Sequence, residues 1–288
     1  MVRKLLRRPM FVVGASLAIL LCSVALFGRA LAPNDPIATD VLHILAPPSD
    51  AYPLGTDELG RCIASRLLAG AGATLGSALL VEAVILVLGV AVGTLAGWCG
   101  GGVDTVCVTV IDTLLAFPSI ILAIVIAGTL GAGLHNLILA MCAVYWVEHA
   151  RIARSLTRGL RERGYIAAAY LSGGGAVKII VRHILPHLLP QMLIRSTLNV
   201  SSILIGISSL SFLGLGVRPP RPEWGASLSE ARAYINTNPR ALILPIVCIL
   251  VATAAFQLLG EALRDAMNPR KSHLVAAREG GRVHARRK

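Results

Sequence analysis

Apolar residues along this chain gather into long unbroken runs divided by short polar stretches. Six runs stand out: Met10 to Gly28, Leu75 to Gly97, Thr105 to Leu130, Gly131 to Val147, Leu188 to Leu213 and Ala241 to Gly260. Each comes near the roughly 20 residues that a helix needs to cross a bilayer. Continuous rather than alternating apolarity predicts helices, because backbone polar groups inside lipid must be satisfied within their own segment. Arg3, Lys4, Arg7 and Arg8 precede the first run, so a secretory leader competes with an uncleaved helix there. The length of the run, and the weak cleavage site at Arg29–Ala30–Leu31–Ala32, favour the helix.

Composition agrees with the pattern. Hydrophobic residues make up 55% of the 288 and the mean hydropathy is +0.73. Charged residues are 15%, against roughly 25% in a soluble domain. The net charge of +12 would suit a nucleic-acid partner, but its distribution points elsewhere. With the amino terminus inside, segments 1–9, 98–104, 148–187 and 261–288 hold 19 of the 27 basic residues, and segments 29–74 and 214–240 hold 7. That asymmetry places both termini in the cytoplasm. The surplus charge then marks a face near anionic membrane lipid, and no nucleic acid is required. The expectation is an all-α membrane protein of six transmembrane helices. It has a basic amino terminus (1–9), a first helix (10–28), an external segment (29–74), a core of five helices (75–270) and a disordered basic tail (271–288).

The largest internal loop carries the densest pattern. In "ARIARSLTRGLRERG", Arg151, Arg154, Arg158 and Arg161 recur at helical spacing, as if the fourth span continued beyond the membrane with a basic face. "YIAAAYLSGGGAVKIIVRHILP" follows, residues 165–186. Gly173, Gly174 and Gly175 permit a tight turn, and a second short helix from Val177 to Leu185 is expected to end at Pro186. Ile166, Leu171, Ile179 and Ile180 give these two helices apolar contacts, which predicts a compact knob instead of a flexible linker. An ordinary inter-helix loop is the plainer reading.

This stretch resembles the coupling loop of ABC-importer permeases, whose signature is glutamate-alanine-alanine, three residues, glycine, nine residues, then isoleucine-x-leucine-proline. Ala168, Ala169, Gly173, Leu185 and Pro186 match, and Gly174 belongs to the same turn; Ala167 stands in place of the glutamate and His183 in place of the isoleucine. "LGTDELGR" (Gly55, Thr56, Asp57, Gly60, Arg61) is similar to a motif of the dipeptide, oligopeptide and nickel permeases. So are "SFLGLGVRPPRPEWG" (Phe212, Gly214, Gly216, Glu223, Trp224, Gly225) and the ending "LLGEALRDAMNPR". Cys62 departs from the aspartate usual after that Gly-Arg. The pattern is nearest the second, shorter permease subunit of such systems. The resemblance implies a type I importer permease in the bacterial inner membrane. It also implies a second homologous permease, two cytoplasmic ATP-binding subunits docked on this loop and on its counterpart, and a periplasmic or lipid-anchored substrate-binding protein. ATP would be bound by the partners, and no GxxxxGK[ST] motif occurs in this chain. The chain itself is expected to be non-catalytic and to hold no cofactor.

Other features have mainly structural readings. Gly89, Gly93 and Gly97 form a small-residue stripe suited to helix packing. Pro118 and Pro245 are candidate kinks or hinges. Charges inside the runs are costly and therefore candidates for function. Asp112 and Arg195 lie at similar depth and invite a pair, with snorkelling as the alternative, whereas Glu82 has no evident partner. The six cysteines form no CxxC, and His43, His135 and His149 are isolated, so no metal site is expected. An ion-driven transporter would show paired broken helices and an inverted repeat. A membrane enzyme would show converging catalytic residues. Neither is apparent, and a channel would need no ATPase. For cargo, the loop without its glutamate and five acids between Asp35 and Glu58 around His43 lean toward nickel over small peptides.

Overall fold

In the computed structural model the described residues are 9–267. The basic amino terminus and the tail expected to be disordered therefore lie outside them, apart from Pro9. Helix α1, Pro9–Phe27, coincides with the first apolar run. A folded segment with one short helical turn, Val41–His43, leads to α2, Ile63–Cys99. This helix starts within the stretch read as external (29–74). It continues there because Arg66, in its first turn, is buried among carboxylates and needs no water.

The third run does not form one helix. It divides into α3, Gly101–Leu115, and α4, Ser119–Leu130, bent by 86°. Pro118 has no N–H and pushes Phe117 out of the helical region. The α3 ladder closes with the Ala116 N–H on the Asp112 carbonyl (2.9 Å), and α4 restarts from the Pro118 carbonyl. Helix α5, Leu134–Arg161, contains the predicted fourth span and its basic extension in one piece. Two short elements follow, α6 (Gly164–Leu171) and a turn, and then α7, Ala176–Phe212. Pro186 does not separate a short helix from the fifth span. A π-helical segment, Ile180–Ile184, absorbs the mismatch that the proline creates, and the helix runs on through it. Helix α8, Trp224–Ala231, and α9, Pro239–Met267, complete the described residues, and Pro245 leaves α9 continuous.

The six predicted spans thus become four helices long and apolar enough to cross a membrane (α1, α2, α7, α9), the bent pair α3–α4, and the more polar α5. Among the described residues there is no β-strand, only an isolated bridge between Thr56 and Cys62.

The glycine stripe of α2 is the seam of the bundle. A Cβ on Gly89 would lie 2.4 Å from the His149 Cβ, one on Gly93 2.3 Å from the Ala150 carbonyl, and one on Gly97 2.7 Å from the Arg154 carbonyl. Backbones approach closely only because nothing projects there. These pairs advance together along both helices, so α2 and α5 run parallel, and α3–α4 must return the chain to the starting end. Met141 lies against Gly206 and His149 beside Ser196, so α7 is antiparallel to α5. Leu75, Val81, Ile85, Leu137, Ile203 and Leu204 fill the space between the three helices.

Candidate functional site

At one end of the bundle α6 and the start of α7 form the predicted knob. Helix α6 ends in a hydrogen-bonded glycine turn. The Gly173 N–H donates to the Tyr170 carbonyl and the Gly174 N–H to the Ala169 carbonyl, 3.0 and 3.1 Å. This pairing requires a left-handed residue at the first glycine, and Gly173 has φ +81°. A Cβ on Gly174 would lie 2.7 Å from the Ala169 oxygen, whereas one on Gly173 would point into open space. Beneath the turn Ile166, Ile179 and Ile184 are buried with Leu188 and Met192, which anchors the knob to the bundle. Leu171, expected among the apolar contacts, instead stands 88% exposed, beside Val177 at 75% and Tyr170 at 65%. Ala167 and Ala168 are exposed, Ala169 and Leu185 half-buried, and Pro186 exposed. Lys178, Arg182 and His183 line a hollow of about 270 Å³ against Gly173 and Gly174. The arginine face of α5 braces this end. Arg154 forms a two-pronged ion pair with Asp104 of α3, and Arg161 lies over the Trp98 ring at 5.9 Å.

The opposite end is closed by a cap built from the "LGTDELGR" and "EWG" motifs. Gly55 (φ +81°) and Gly60 (φ +73°) turn the chain back on itself, and a Cβ on Gly60 would meet the Asp40 carbonyl at 1.8 Å. The Thr56 carbonyl accepts from Asn238 (2.9 Å). Arg61, 1% exposed, donates to Asp57 (2.6 Å), Glu58 (2.8 Å) and Glu230 (2.8 Å). Arg66 donates to Glu230 at 2.7 Å and lies 3.3 Å from Asp57. Three carboxylates thus share two guanidinium groups, and burial pushes the Glu58 carboxyl above its ordinary range. Oxygens of Asp57, Glu58 and Glu230 converge closely enough for a cation, but the two arginines already hold them. Cys62 sits at the start of α2 and makes no capping bond, the place where the wider pattern has an aspartate.

Glu223 is fully buried and accepts from the Gly225 and Ala226 N–H groups and from Thr74, which starts α8; burial raises its pKa. The Trp224 indole donates to the Leu67 carbonyl (2.9 Å). Gly225 packs with no room for a Cβ, 2.5 Å from the Ser208 carbonyl. Gly214 (φ +85°) ends α7 in the same type of turn as Gly173, Gly216 packs on Ser211, and Phe212 lies 5.7 Å below Arg232.

The charges within the runs fall differently from expectation. Glu82 has partners: His149 at 3.1 Å and the Asn199 amide at 2.8 Å. His149 is therefore no isolated loop residue but a buried member of α5 that joins three helices. Arg195 pairs with Glu148 (2.9 Å), and Asp112 is exposed on α3, so of the two alternatives the Asp112–Arg195 pair does not form. His43 is held by Asp40, whose pKa is lowered by the hydrogen bonds from His43 and Tyr52. His135 lines an outer groove with Arg29 and Arg218. Arg66, Glu230 and Asn199 were not singled out from sequence, and His149 was read there only as isolated. For Asn199, inside the fifth run, the available signal was that polar residues within apolar runs must find partners.

Comparison with known proteins supplies the context. Residues 89–273 match the family described as binding-protein-dependent transport system inner membrane component, and residues 1–48 match the N-terminal TM domain of oligopeptide transport permease C. The nickel transport system permease protein NikC of Escherichia coli (strain K12) is 40% identical over 256 residues, 89% of this chain and 91% of that one. The glutathione transport system permease protein GsiD of Pectobacterium atrosepticum is 36% identical over 93% of this chain and 89% of its own length. The di/tripeptide transport system permease protein DppC of Pseudomonas aeruginosa is 35% identical over 89% and 87%. Among solved structures, a chain of the inward-facing MetNI methionine ABC transporter superposes with a TM-score of 0.55 at 18% identity, covering 70% of this chain and 96% of that one. At that identity the likeness shows the fold, the type I importer permease that the motifs imply.

Proposed function

Because the chain belongs to the binding-protein-dependent transport system inner membrane components, the non-catalytic permease subunits of ABC importers, we propose that it carries nickel or a nickel chelate across the inner membrane. The observation that carries the cargo is the 40% identity to a nickel permease over 89% of the chain, against 35–37% for the glutathione and di/tripeptide permeases. A knob without its glutamate agrees. The acids of 35–58 add nothing, since Asp57 and Glu58 are engaged by arginine and Asp40 by His43 and Tyr52.

In this reading the knob faces the cytoplasm and a second permease completes the pathway. ATP binds to two separate subunits, one of them seated on residues 165–186. Their closure pushes the knob, and α7, continuous from the turn to the cap end, shifts the bundle between inward- and outward-open states. A receptor outside the membrane selects the cargo and delivers it to the cap. Deleting the chain should lower cellular nickel and the activity of nickel enzymes, with excess external nickel restoring both. Unchanged nickel with failed growth on small peptides assigns the peptide cargo instead.

A further inference from the structure

We infer that the knob offers its ATP-binding subunit a cationic seat, into which a carboxylate of that subunit fits beside an apolar contact. The inference rests on the coupling reading and specifies the chemistry of that contact. Residues 164–187 contain no Asp or Glu. The position where related loops carry glutamate is Ala167, exposed and uncharged. Lys178 and Arg182 are exposed, make no ion pair among the described residues, and line one hollow beside the glycine turn with His183. Tyr170, Leu171 and Val177, each next in sequence to a residue that lines the hollow, are large side chains left exposed among the described residues.

An unneutralised cationic hollow on a knob that also exposes large apolar side chains is the complement of an acidic side chain set in an apolar cleft. Burial of the apolar side chains in that cleft strengthens such a pair, and charge complementarity fixes its register. The polarity of the contact is thereby reversed: the permease supplies the cations and the ATPase the carboxylate. A solvated basic loop would serve without the exposed leucine, tyrosine and valine.

The test uses the permease pair co-expressed with its ATP-binding subunits and purified as a complex. Lys178→Gln with Arg182→Gln should reduce the ATP-binding subunit retained by about tenfold or more. What little association survives should no longer weaken as salt is raised, as the wild type does. Both side chains are exposed, so insertion and yield of the permease should not change. Leu171→Asp serves as the control for the coupling reading. If Leu171→Asp strips the ATPases while the double variant keeps them, with salt dependence unaltered, the cationic seat is refuted and the coupling knob stands. If Leu171→Asp also keeps them, both readings fall. If the double variant retains its ATPases and loses only its response to anionic lipid in nanodiscs, the cations serve lipid headgroups and the proposal fails.

Discussion

The knob and the cap are both built from glycine turns and charged residues, yet they treat charge in opposite ways. In the cap, Arg61 and Arg66 are almost fully buried and each touches two or more carboxylates. In the knob, Lys178 and Arg182 meet no acid among the described residues, and Leu171 and Val177 stand in the open. The difference teaches how to tell a finished region from an unfinished one. Buried ions are tolerated only with full pairing, so the cap is a closed structural unit that locks the outer segment, α2 and α8 together. Uncovered apolar surface beside unpaired cations is the mark of a surface that a partner covers.

That contrast is sharpest as a question of sides. A periplasm-active reporter fused near Gly225 in the cap should be active, and one near Arg163 in the knob silent. The opposite result would invert the basic asymmetry and remove the knob from any cytoplasmic ATPase. Next in size is the cap itself. Arg61→Ala takes the counter-ion from Glu58 and leaves Asp57 and Glu230 to share Arg66, and should cost about 3–5 kcal/mol, read as a large drop in the melting temperature of the purified permease. Stability close to wild type would show that the network is not what closes the cap.

The knob should respond in function more than in stability. Gly173→Trp forces a side chain onto φ +81°, a cost of about 1–2 kcal/mol, but its Cβ enters open space and the helices beneath are undisturbed. The variant should insert, fold and fail to transport, and normal uptake would refute this turn as the coupling surface. The smallest effect belongs to Glu58, the surplus carboxylate of the cap. Its folded pKa is raised by burial, so the folded state holds this proton more tightly than the unfolded one. Stability from this group is therefore greatest in acid and declines as pH rises from the unfolded value, about 4.3, through the raised one. Glu58→Gln should flatten that part of the profile of melting temperature against pH while leaving the fold intact.

Much of this was legible in the residues. Long apolar runs are decisive for membrane helices because burying bare backbone in lipid allows little else, and α1 and α9 fall close to where hydropathy puts them. The turn at Gly173 was legible too, since few residues other than glycine accept that backbone. Local chemistry also foretold a break near Pro118, though not its size: what turns the chain by 86° is how α3 and α4 pack on α5.

Residues far apart in sequence were the limit. The chain by itself determined its class, the polarity of its charges, its helix-ending glycines and the family motifs, all of which depend on neighbours a few positions away. Only the tertiary structure decided that Arg66 meets Glu230, that Glu82 meets His149 and Asn199, and that Arg195 meets Glu148 instead of Asp112. A charge in a low-dielectric interior must have a partner, so the sequence announces that each will be paired. Which partner it takes depends on the rotation and register of packed helices, and here the Gly89–Gly93–Gly97 seam sets these by bringing α2 against α5.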